Sequence, residues 1–446
     1  MSKKTFPFAD FTLVLLFFLG LGAIGYLFPR EAFYFNLLAF ILCFGTYLLL
    51  YRKVKNNLFT FRNAIIMATI ARLLLLFALP SLSDDFYRFL FDGHLLIKGI
   101  NPYAQLPLAW VQAQGLDSSS YLYYLFEGMN SPGYFSVYPP LHQVFFGLAA
   151  LSGESLLPNL LVLRSMLIAF DLLNIWLIVK LLQLWHQPKR RVLLYALNPL
   201  VILELTGNLH SEGMVLTGLL AVLYCFERGK TYQASAAWAW AVGIKLTPLM
   251  MGPILLRKAF KSGSSISFFA WSALFLFLAL GLLFLGGVYL NFWQSLRLYS
   301  SSFEFNASIY YLIRWVSGFF MDYNPIVYVG PFLTVLAALL ILALSFLFRL
   351  ENAKDLAAGM VWIYLVYLLL QTVVHPWYLI PAFGMSVLTG NRVFLVWTGL
   401  VFLSYGAYQS SETMEQTYLL ITQYGLLFFT IFLEMKSVLA SKKKLI

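Results

Sequence analysis

The chain has 446 residues, of which 61% are hydrophobic and only 11% are charged, and its mean hydropathy is +0.79. An ordinary soluble domain carries roughly 25% charged residues, so this composition excludes the soluble, disordered and fibrous classes and indicates a polytopic membrane protein. The net charge of +11 is typical of cytoplasmic loops rich in Lys and Arg. No basic face with base-reading residues is present, so nucleic acid is not an expected partner. Cys43 and Cys225 lie in apolar runs, which predicts neither a disulfide framework nor a zinc site.

Apolar stretches along the chain are candidate membrane spans, because a helix needs about 20 apolar residues to cross the bilayer. The long ones are 11–28, 33–50, 64–80, 158–185, 266–290, 325–348, 356–374 and 417–434. The shorter ones are 192–207, 212–227, 231–244, 246–257, 376–390 and 393–408. Short spans of this kind usually line a cavity rather than face lipid. The first run lacks a small-residue cleavage site, so we expect a retained helix and not a signal peptide.

The positions of Lys and Arg predict which side of the membrane each loop occupies. Fourteen spans place the basic clusters on one side, the cytoplasm, together with both termini. These clusters are Lys3 with Lys4, Arg52 to Lys55 with Arg62, Lys189 to Arg191, Arg228 with Lys230, Arg257 to Lys261, Arg349 with Lys354, Arg392, and Lys436 with Lys442 to Lys444. The outer loops collect acidic residues: Asp84, Asp85, Asp92, Asp117, Glu127, Glu154, Glu212, Glu304, Asp322, Glu412 and Glu415. We therefore expect polar chemistry on the outer face.

The expected fold is an all-α polytopic bundle of about 13–15 transmembrane helices, forming one integral membrane domain over 1–446. Two N-terminal spans occupy 11–50, and the long outer segments are 81–136 and 291–324. Segment 137–151 is apolar but opens with Tyr138-Pro139-Pro140. If it crossed the membrane, the basic cluster at 189–191 would lie outside. We therefore favour a re-entrant or interfacial segment, and a true span stays the alternative.

The segment after the third span carries the strongest chemical pattern. Ser83 is expected to cap a helix, in which Phe86, Phe89, Leu90 and Ile97 recur at helical spacing. The pattern predicts an amphipathic helix lying on the outer membrane surface, with amphipathic helices in the first large outer loop as a whole.

The other face of this helix carries Asp85, Arg88 and Asp92, at positions i, i+3 and i+7. A partly desolvated carboxylate has a raised pKa and acts as a general base on a hydroxyl group. Asp84 or Asp85 is the candidate. The alternative is that the two acids only stabilise the start of the helix.

Three further segments present polar groups at turns that we place on the outer side. His210 and Glu212 follow Asn198-Pro199 and are two residues apart, so both can face one cavity; the alternative is capping of a membrane turn. Lys245, before Pro248, either snorkels to the interface or neutralises a phosphate. His375-Pro376-Trp377-Tyr378 opens a short helix, as an aromatic belt or as a binding element.

Taken in order over 85–378, these segments resemble the multi-spanning GT-C glycosyltransferases. The chain looks most like bacterial mannosyltransferases that use a polyprenyl-phosphate sugar, relatives of the GPI mannosyltransferases. The resemblance is carried by Asp84-Asp85, Tyr87 to Gly93, Gly99 to Tyr103, Tyr138-Pro139-Pro140, Asn198-Pro199, His210, Glu212, Lys245, Pro248 and His375 to Tyr378. The family core often has its acidic loop after the first span, whereas here two additional spans over 11–50 come before the core. Residues 11–50 are therefore an addition or part of a reordered core.

The resemblance implies inverting transfer of a hexose, mannose above all, from a lipid phosphate to a lipid or glycan acceptor on the outer face. The catalytic Asp of the family matches Asp85 best, with Asp84 next. A cation must also stand near the leaving phosphate, and Lys245, Arg88 and His375 are the candidates. The candidates for contact with the sugar or the acceptor are His210, Glu212, Glu304, Asp92, Tyr103, Trp377 and Tyr378.

No nucleotide-binding loop appears in the sequence, which suits a lipid-linked donor whose prenyl chain lies between helices among membrane lipids. No cofactor is certain, and a divalent metal stays open because His and carboxylates are ligands. The expected location is the bacterial inner membrane. The main alternative is a transporter or flippase of a lipid-linked or polar substrate; a glycan polymerase or ligase and a structural subunit follow. A transporter is expected to have its binding site near the middle of the membrane and to consist of two similar halves. Neither feature is evident in the sequence.

Overall fold

The structure is a computed structural model that describes residues 8–56, 59–410 and 413–443. It is 76% helical, and no strand occurs within these residues. The prediction of an all-α polytopic membrane protein is confirmed. Four residues used to assign the sides, Lys3, Lys4, Glu412 and Lys444, lie outside the described residues.

The α-helices follow one another with short connections. In chain order they are α1 Phe8–Gly22, α2 Phe33–Lys55, α3 Phe61–Leu74, α4 Asp85–Ile97, α5 Pro107–Gln114, α6 Tyr121–Gly128, α7 Pro140–Ala150, α8 Leu156–Leu184, α9 Val192–Ala196, α10 Pro199–Ile202, α11 Glu212–Glu227, α12 Thr231–Ile244, α13 Gly252–Lys261, α14 Ser265–Leu280, α15 Tyr289–Ser301, α16 Ile309–Ser317, α17 Ile326–Leu347, α18 Ala353–Leu370, α19 Ile380–Thr389, α20 Val393–Leu400 and α21 Thr417–Lys443. Turns of π-helix cover Ala23–Leu27 and Leu203–Gly207. Short 3₁₀ segments cover Lys189–Arg191, Thr247–Met251, Gly281–Gly287, Pro376–Leu379 and Val401–Tyr408.

Six helices of the described chain are long and apolar enough to cross a membrane. They are Phe33–Lys55, Leu156–Leu184, Ser265–Gly287, Ile326–Leu347, Ala353–Leu370 and Thr417–Ser437. Pro199–Gly207 and Glu212–Glu227 make a seventh if this broken pair counts as one span. Phe11–Leu27 and Val393–Tyr408 are shorter apolar helices. The other predicted spans are largely helical but do not reach spanning length, so the expected 13–15 spans are not all long helices.

The chain divides into two compact units. Unit 1 comprises Met1–Leu82, Ile178–His210 and His375–Ile446. Within it α1 packs closely on α2. The helices are so near that a Cβ at Gly20 would come within 2.4 Å of Cys43 Sγ. The buried Arg72 donates through Nη1 to the carbonyls of Ala68 and Ala196 at 2.7 and 2.8 Å. A cation inside an apolar span thus has backbone acceptors, as burial requires.

Unit 2 comprises Ser83–Leu177 and Ser211–Val374. Its α11 and α12 lie close together, since a Cβ at Gly218 would approach Ala237 O to 2.7 Å. The first outer segment folds into α4 to α6, and α4 packs against α6 and α7. This unit contains most of the polar residues singled out in the sequence.

Helix α4 has buried side chains on both its apolar and its charged face. Its apolar side chains Phe86, Phe89 and Leu90 are buried, and so are Arg88 and Asp92 on the opposite face. Only its last turn, at Leu96 and Ile97, is exposed. Neighbouring parts of the first outer segment and α7 cover both faces, whereas the position of this helix at the membrane surface stays a prediction.

Segment 137–151 contains α7, Pro140–Ala150, which has 11 residues. At 1.5 Å per residue this helix is about 16 Å long, roughly half of the hydrocarbon thickness. It is not among the candidate spans. The length agrees with the favoured re-entrant or interfacial segment rather than with a complete crossing.

The contact between α4 and α7 has no room for a side chain at Gly93. A Cβ there would lie 2.3 Å from Phe146 O and 2.5 Å from Phe146 C. These are backbone atoms, so neither helix can yield by rotating a side chain. Phe89 stacks on the Phe146 ring at 4.7 Å, which completes the contact.

We predict that Gly93→Ala lowers the free energy of unfolding by about 1–3 kcal/mol, as over-packing does in tight cores. The matched control is Gly45→Ala in α2, where a Cβ meets nothing within 4 Å, so Ala is expected to preserve or raise stability. Thermal unfolding of the purified protein in detergent measures both. Equal melting temperatures for the wild type and Gly93→Ala would contradict the close approach.

Candidate active site

The start of α4 presents the two acidic residues of the first outer segment. Asp84 is the N-cap residue, one position after the predicted Ser83, and it makes no side-chain capping bond. Ser83 Oγ nevertheless accepts a hydrogen bond from the Asp85 amide at 3.3 Å. The cap prediction is thus displaced by one residue. Asp84 and Asp85 are both half-buried at the positive end of the helix dipole, which favours their charge.

Asp85 accepts a hydrogen bond from another segment and acts electrostatically on two phenols. Its Oδ1 accepts from Asn130 Nδ2 at 3.0 Å. Burial, and then the Asp85 carboxylate, raise the pKa of Tyr299 to about 12. The same two causes, in the same order, raise the pKa of Tyr138 well above its ordinary value. The charge of Asp85 thus acts on both phenols.

Sequence analysis did not assign the residues that interact with Asp85 to the site, for different reasons. Tyr138 belongs to the Tyr138-Pro139-Pro140 motif, which we noted without assigning it a role. Asn130 and Tyr299 stand 45 and more than 200 positions away in ordinary polar and aromatic surroundings. Neither carries a local signal that could have selected it.

Arg88 and Asp92 form a buried ion pair one helical turn apart. Arg88 Nε donates to Asp92 Oδ1 at 2.7 Å, and Nη1 donates to the carbonyls of Ser131 and Tyr134 at 3.0 and 2.9 Å. Asp92 Oδ2 accepts from Gln143 Nε2 at 3.0 Å. With 2% and 0% of their surfaces exposed, the two residues join α4 to the segment after Asn130 instead of lining an open site.

Tyr103 has a similar structural position. Its hydroxyl donates to Tyr138 O at 2.5 Å, and its carbonyl accepts from Asn291 Nδ2 at 2.9 Å. It therefore joins the segment before α5 to the chain that carries Tyr138. Glu304 lies in a separate local cluster, where it pairs with Arg314 and accepts from Tyr310 at 2.9 Å.

Lys245 and Glu212 form an ion pair at the ends of two neighbouring helices. Glu212 opens α11 and is nearly buried, whereas the Lys245 side chain follows α12 and is 30% exposed. The predicted snorkelling or phosphate-neutralising cation thus has a carboxylate partner and keeps access to solvent. Burial, and then the Lys245 charge, lower the pKa of His142 to about 3. His142 is a polar neighbour that sequence analysis missed.

His210 has different partners from Glu212, although the two are only two positions apart. Its Nδ1 faces Glu204 Oε2 at 3.0 Å, and its ring stacks on Trp377 at 3.6 Å. His375 stacks on Trp377 at 4.4 Å, and Tyr378 meets His375 edge to face. All of these residues belong to unit 1. That His210 and Glu212 face one cavity stays a prediction.

A metal site within the described residues would need several ligating side chains close together. No three side chains of His, Cys, Asp or Glu come together there in a group that could hold an ion. We therefore assign no residue to a metal.

One comparison with known proteins identifies the family. Residues 28–260, slightly more than half of the chain, match the family model MptA_B, described as alpha-(1->6)-mannopyranosyltransferase, N-terminal domain. No curated protein and no solved structure matches the chain significantly. The match confirms the resemblance to GT-C-type mannosyltransferases, and its range includes Asp85, Arg88 and Lys245. The chain therefore belongs to the MptA_B family of alpha-(1->6)-mannopyranosyltransferases.

Proposed function

We propose that this protein transfers mannose from a polyprenyl phosphate to a lipid or glycan acceptor, with Asp85 as the general base. Family membership supports the sugar and the reaction class. The observation that carries the proposal is the half-buried Asp85 carboxylate, which Asn130 orients and whose charge contributes to the raised pKa of Tyr138 and Tyr299. The proposed product linkage is α-(1→6), as the family description states.

The proposed step is a single displacement at the anomeric carbon. The acceptor oxygen forms a bond to that carbon while the bond to the phosphate oxygen breaks, and the electron pair leaves with the phosphate. Asp85 takes the proton of the acceptor hydroxyl. Inversion converts a β-linked donor into an α-linked product, which agrees with the linkage in the family description.

Asp85 is preferred over Asp84 as the base because an observed contact orients it. Asn130 Nδ2 donates to Asp85 Oδ1 and so orients the carboxylate. A carboxylate held in one orientation needs little reorganisation during the reaction. Arg88 and Asp92 have a positioning role in this proposal, because they hold the segment next to Asn130 and Tyr138.

Lys245 is the proposed cation for the departing phosphate. It is partly exposed, so a ligand can reach the ammonium group, and Glu212 restricts its position. The ammonium group stabilises the negative charge that develops on the leaving oxygen. His375 is proposed as a second group for the phosphate, and Trp377, Tyr378 and Glu304 stay candidates for contact with the sugar or the acceptor.

The proposed orientation places Asp85 outside the cytoplasm. The basic clusters predict cytoplasmic termini, and a bacterial inner membrane fits the lipid-linked donor. We do not propose a transporter or flippase, because the family match favours a transferase.

We predict that Asp85→Asn reduces kcat by about 100-fold or more, the usual contribution of a general base, whereas Asp84→Asn stays near wild-type activity. The assay follows polyprenyl phosphate released from polyprenyl-phosphate-mannose, with membrane glycolipids as trial acceptors. Thermal unfolding of each variant checks that it is folded. An inactive Asp84→Asn beside an active Asp85→Asn would show that the base is misassigned.

Lys245→Met is predicted to lower kcat/KM for the donor by about 100-fold, as the loss of one charge-stabilising group does. This variant also leaves Glu212 buried and uncompensated, so it loses stability. The double variant Lys245→Met with Glu212→Gln should recover stability without recovering activity.

Lys98→Met is the matched control, because Lys98 forms an exposed ion pair with Glu154 and exposed pairs contribute little. Recovery of full activity in the double variant would exclude Lys245 from phosphate binding.

A further inference from the structure

Three aromatic rings form a column in unit 1. His210, Trp377 and His375 are stacked in that order, with interplanar angles of 14° and 2°. His210 and Trp377 are only 2% and 6% exposed, whereas His375 is half-buried. The outer imidazole is therefore the member of the column that a ligand can reach, and His210 is its inner layer.

A buried carboxylate orients the inner end of the column. Glu204 accepts hydrogen bonds from Tyr405 at 2.5 Å and from Asn208 at 3.2 Å, and its Oε2 lies 3.0 Å from His210 Nδ1. The Nδ1 edge of the inner imidazole therefore faces the Glu204 carboxyl group. Glu204 thus orients the inner imidazole.

The backbone between these residues has a conformation that side chains rarely adopt. Leu209 has φ +65°, in the left-handed region, which a bulky residue occupies only when its surroundings impose it. The amide of His210 donates to the backbone carbonyl of Glu204 at 3.0 Å, and the side chain of Asn208 donates to the Glu204 carboxyl group. Glu204 itself lies in a π-helical turn, a feature frequent at functional sites.

We propose that Glu204 and His210 are positioning residues for His375 and act through the ring of Trp377. The carboxylate holds His210, the stacked indole transmits that orientation, and His375 presents its imidazole to the phosphate of a polyprenyl-phosphate ligand. His210 has too little exposed surface to contact the ligand itself. The inference rests on the proposed function in one respect, the phosphate ligand of His375.

A double-mutant cycle tests the coupling, because only residues that act through one another are non-additive. Glu204→Gln is expected to raise KM for polyprenyl-phosphate-mannose by about 10-fold or more, the usual effect of losing an orienting partner, with a smaller change in kcat. In a His375→Asn background the same substitution should have almost no effect on KM. An equal effect in both backgrounds would show that Glu204 stabilises the fold without acting on His375, and would overturn the proposal.

Two substitutions of the middle ring, Trp377, test whether an aromatic ring is required at this position. Trp377→Phe keeps an aromatic face between the imidazoles and should retain most of the donor affinity, whereas Trp377→Leu should behave like Glu204→Gln. Glu154→Gln is the matched carboxylate control, since Glu154 pairs with Lys98 on the surface. Equal activities of Trp377→Phe and Trp377→Leu would contradict transmission through the stack.

Carbethoxylation of histidine supplies a readout that does not need turnover. Of the five histidines, His186 is exposed and His375 is half-buried, so His186 is an internal reference for the labelling rate of His375 by mass spectrometry. Polyprenyl phosphate should protect His375 in the wild type, and this protection should weaken in Glu204→Gln. No change in rate or protection would overturn the proposal. A wild type that transfers no mannose but shows this protection would refute the proposed function alone.

Discussion

The buried ion pair between Arg88 and Asp92 is the interaction on which the surroundings of Asp85 depend. The guanidinium group joins α4 to the carbonyls of Ser131 and Tyr134, and Asn130 and Tyr138 flank that stretch. Breaking a buried pair by removing one partner costs about 3–5 kcal/mol, because the remaining charge has no compensation. The pair therefore determines where two of the groups around the proposed base lie, without contacting a substrate.

The same logic explains why α4 can be buried on both faces. A helix with charged groups on one side is expected to turn that side to water. Here Asp92 has a partner in Gln143 as well as in Arg88, so burial leaves its oxygens bonded. Gly93 then permits backbone contact with Phe146, which brings α7 and the neighbouring Tyr138 against α4.

Polar residues in apolar surroundings recur in both units, with two different consequences. Lys245 is paired with Glu212 but keeps part of its side chain exposed, which suits a group that meets a charged ligand. Glu204 is fully buried and bonded to Tyr405, Asn208 and His210, which suits a group that orients others. Exposure thus separates residues that can touch a substrate from residues that position them.

By itself the sequence determined the class of the molecule. Its apolar runs predicted the helices of a membrane protein, and its ordered motifs indicated a GT-C mannosyltransferase, since hydrophobic periodicity and motif order are local properties of the chain. Residues such as Asp85 and Lys245 stood out because a charged group in apolar sequence is costly and needs a reason.

Only the tertiary structure decided the partners of these residues. It buried Arg88, Asp92 and His210, which sequence analysis had placed in contact with the substrate, and it brought Asn130 and Tyr299 to Asp85 without any local signal. The reason is physical: hydrogen bonds and ion pairs form between groups far apart in sequence, and their geometry follows from packing that no local pattern records.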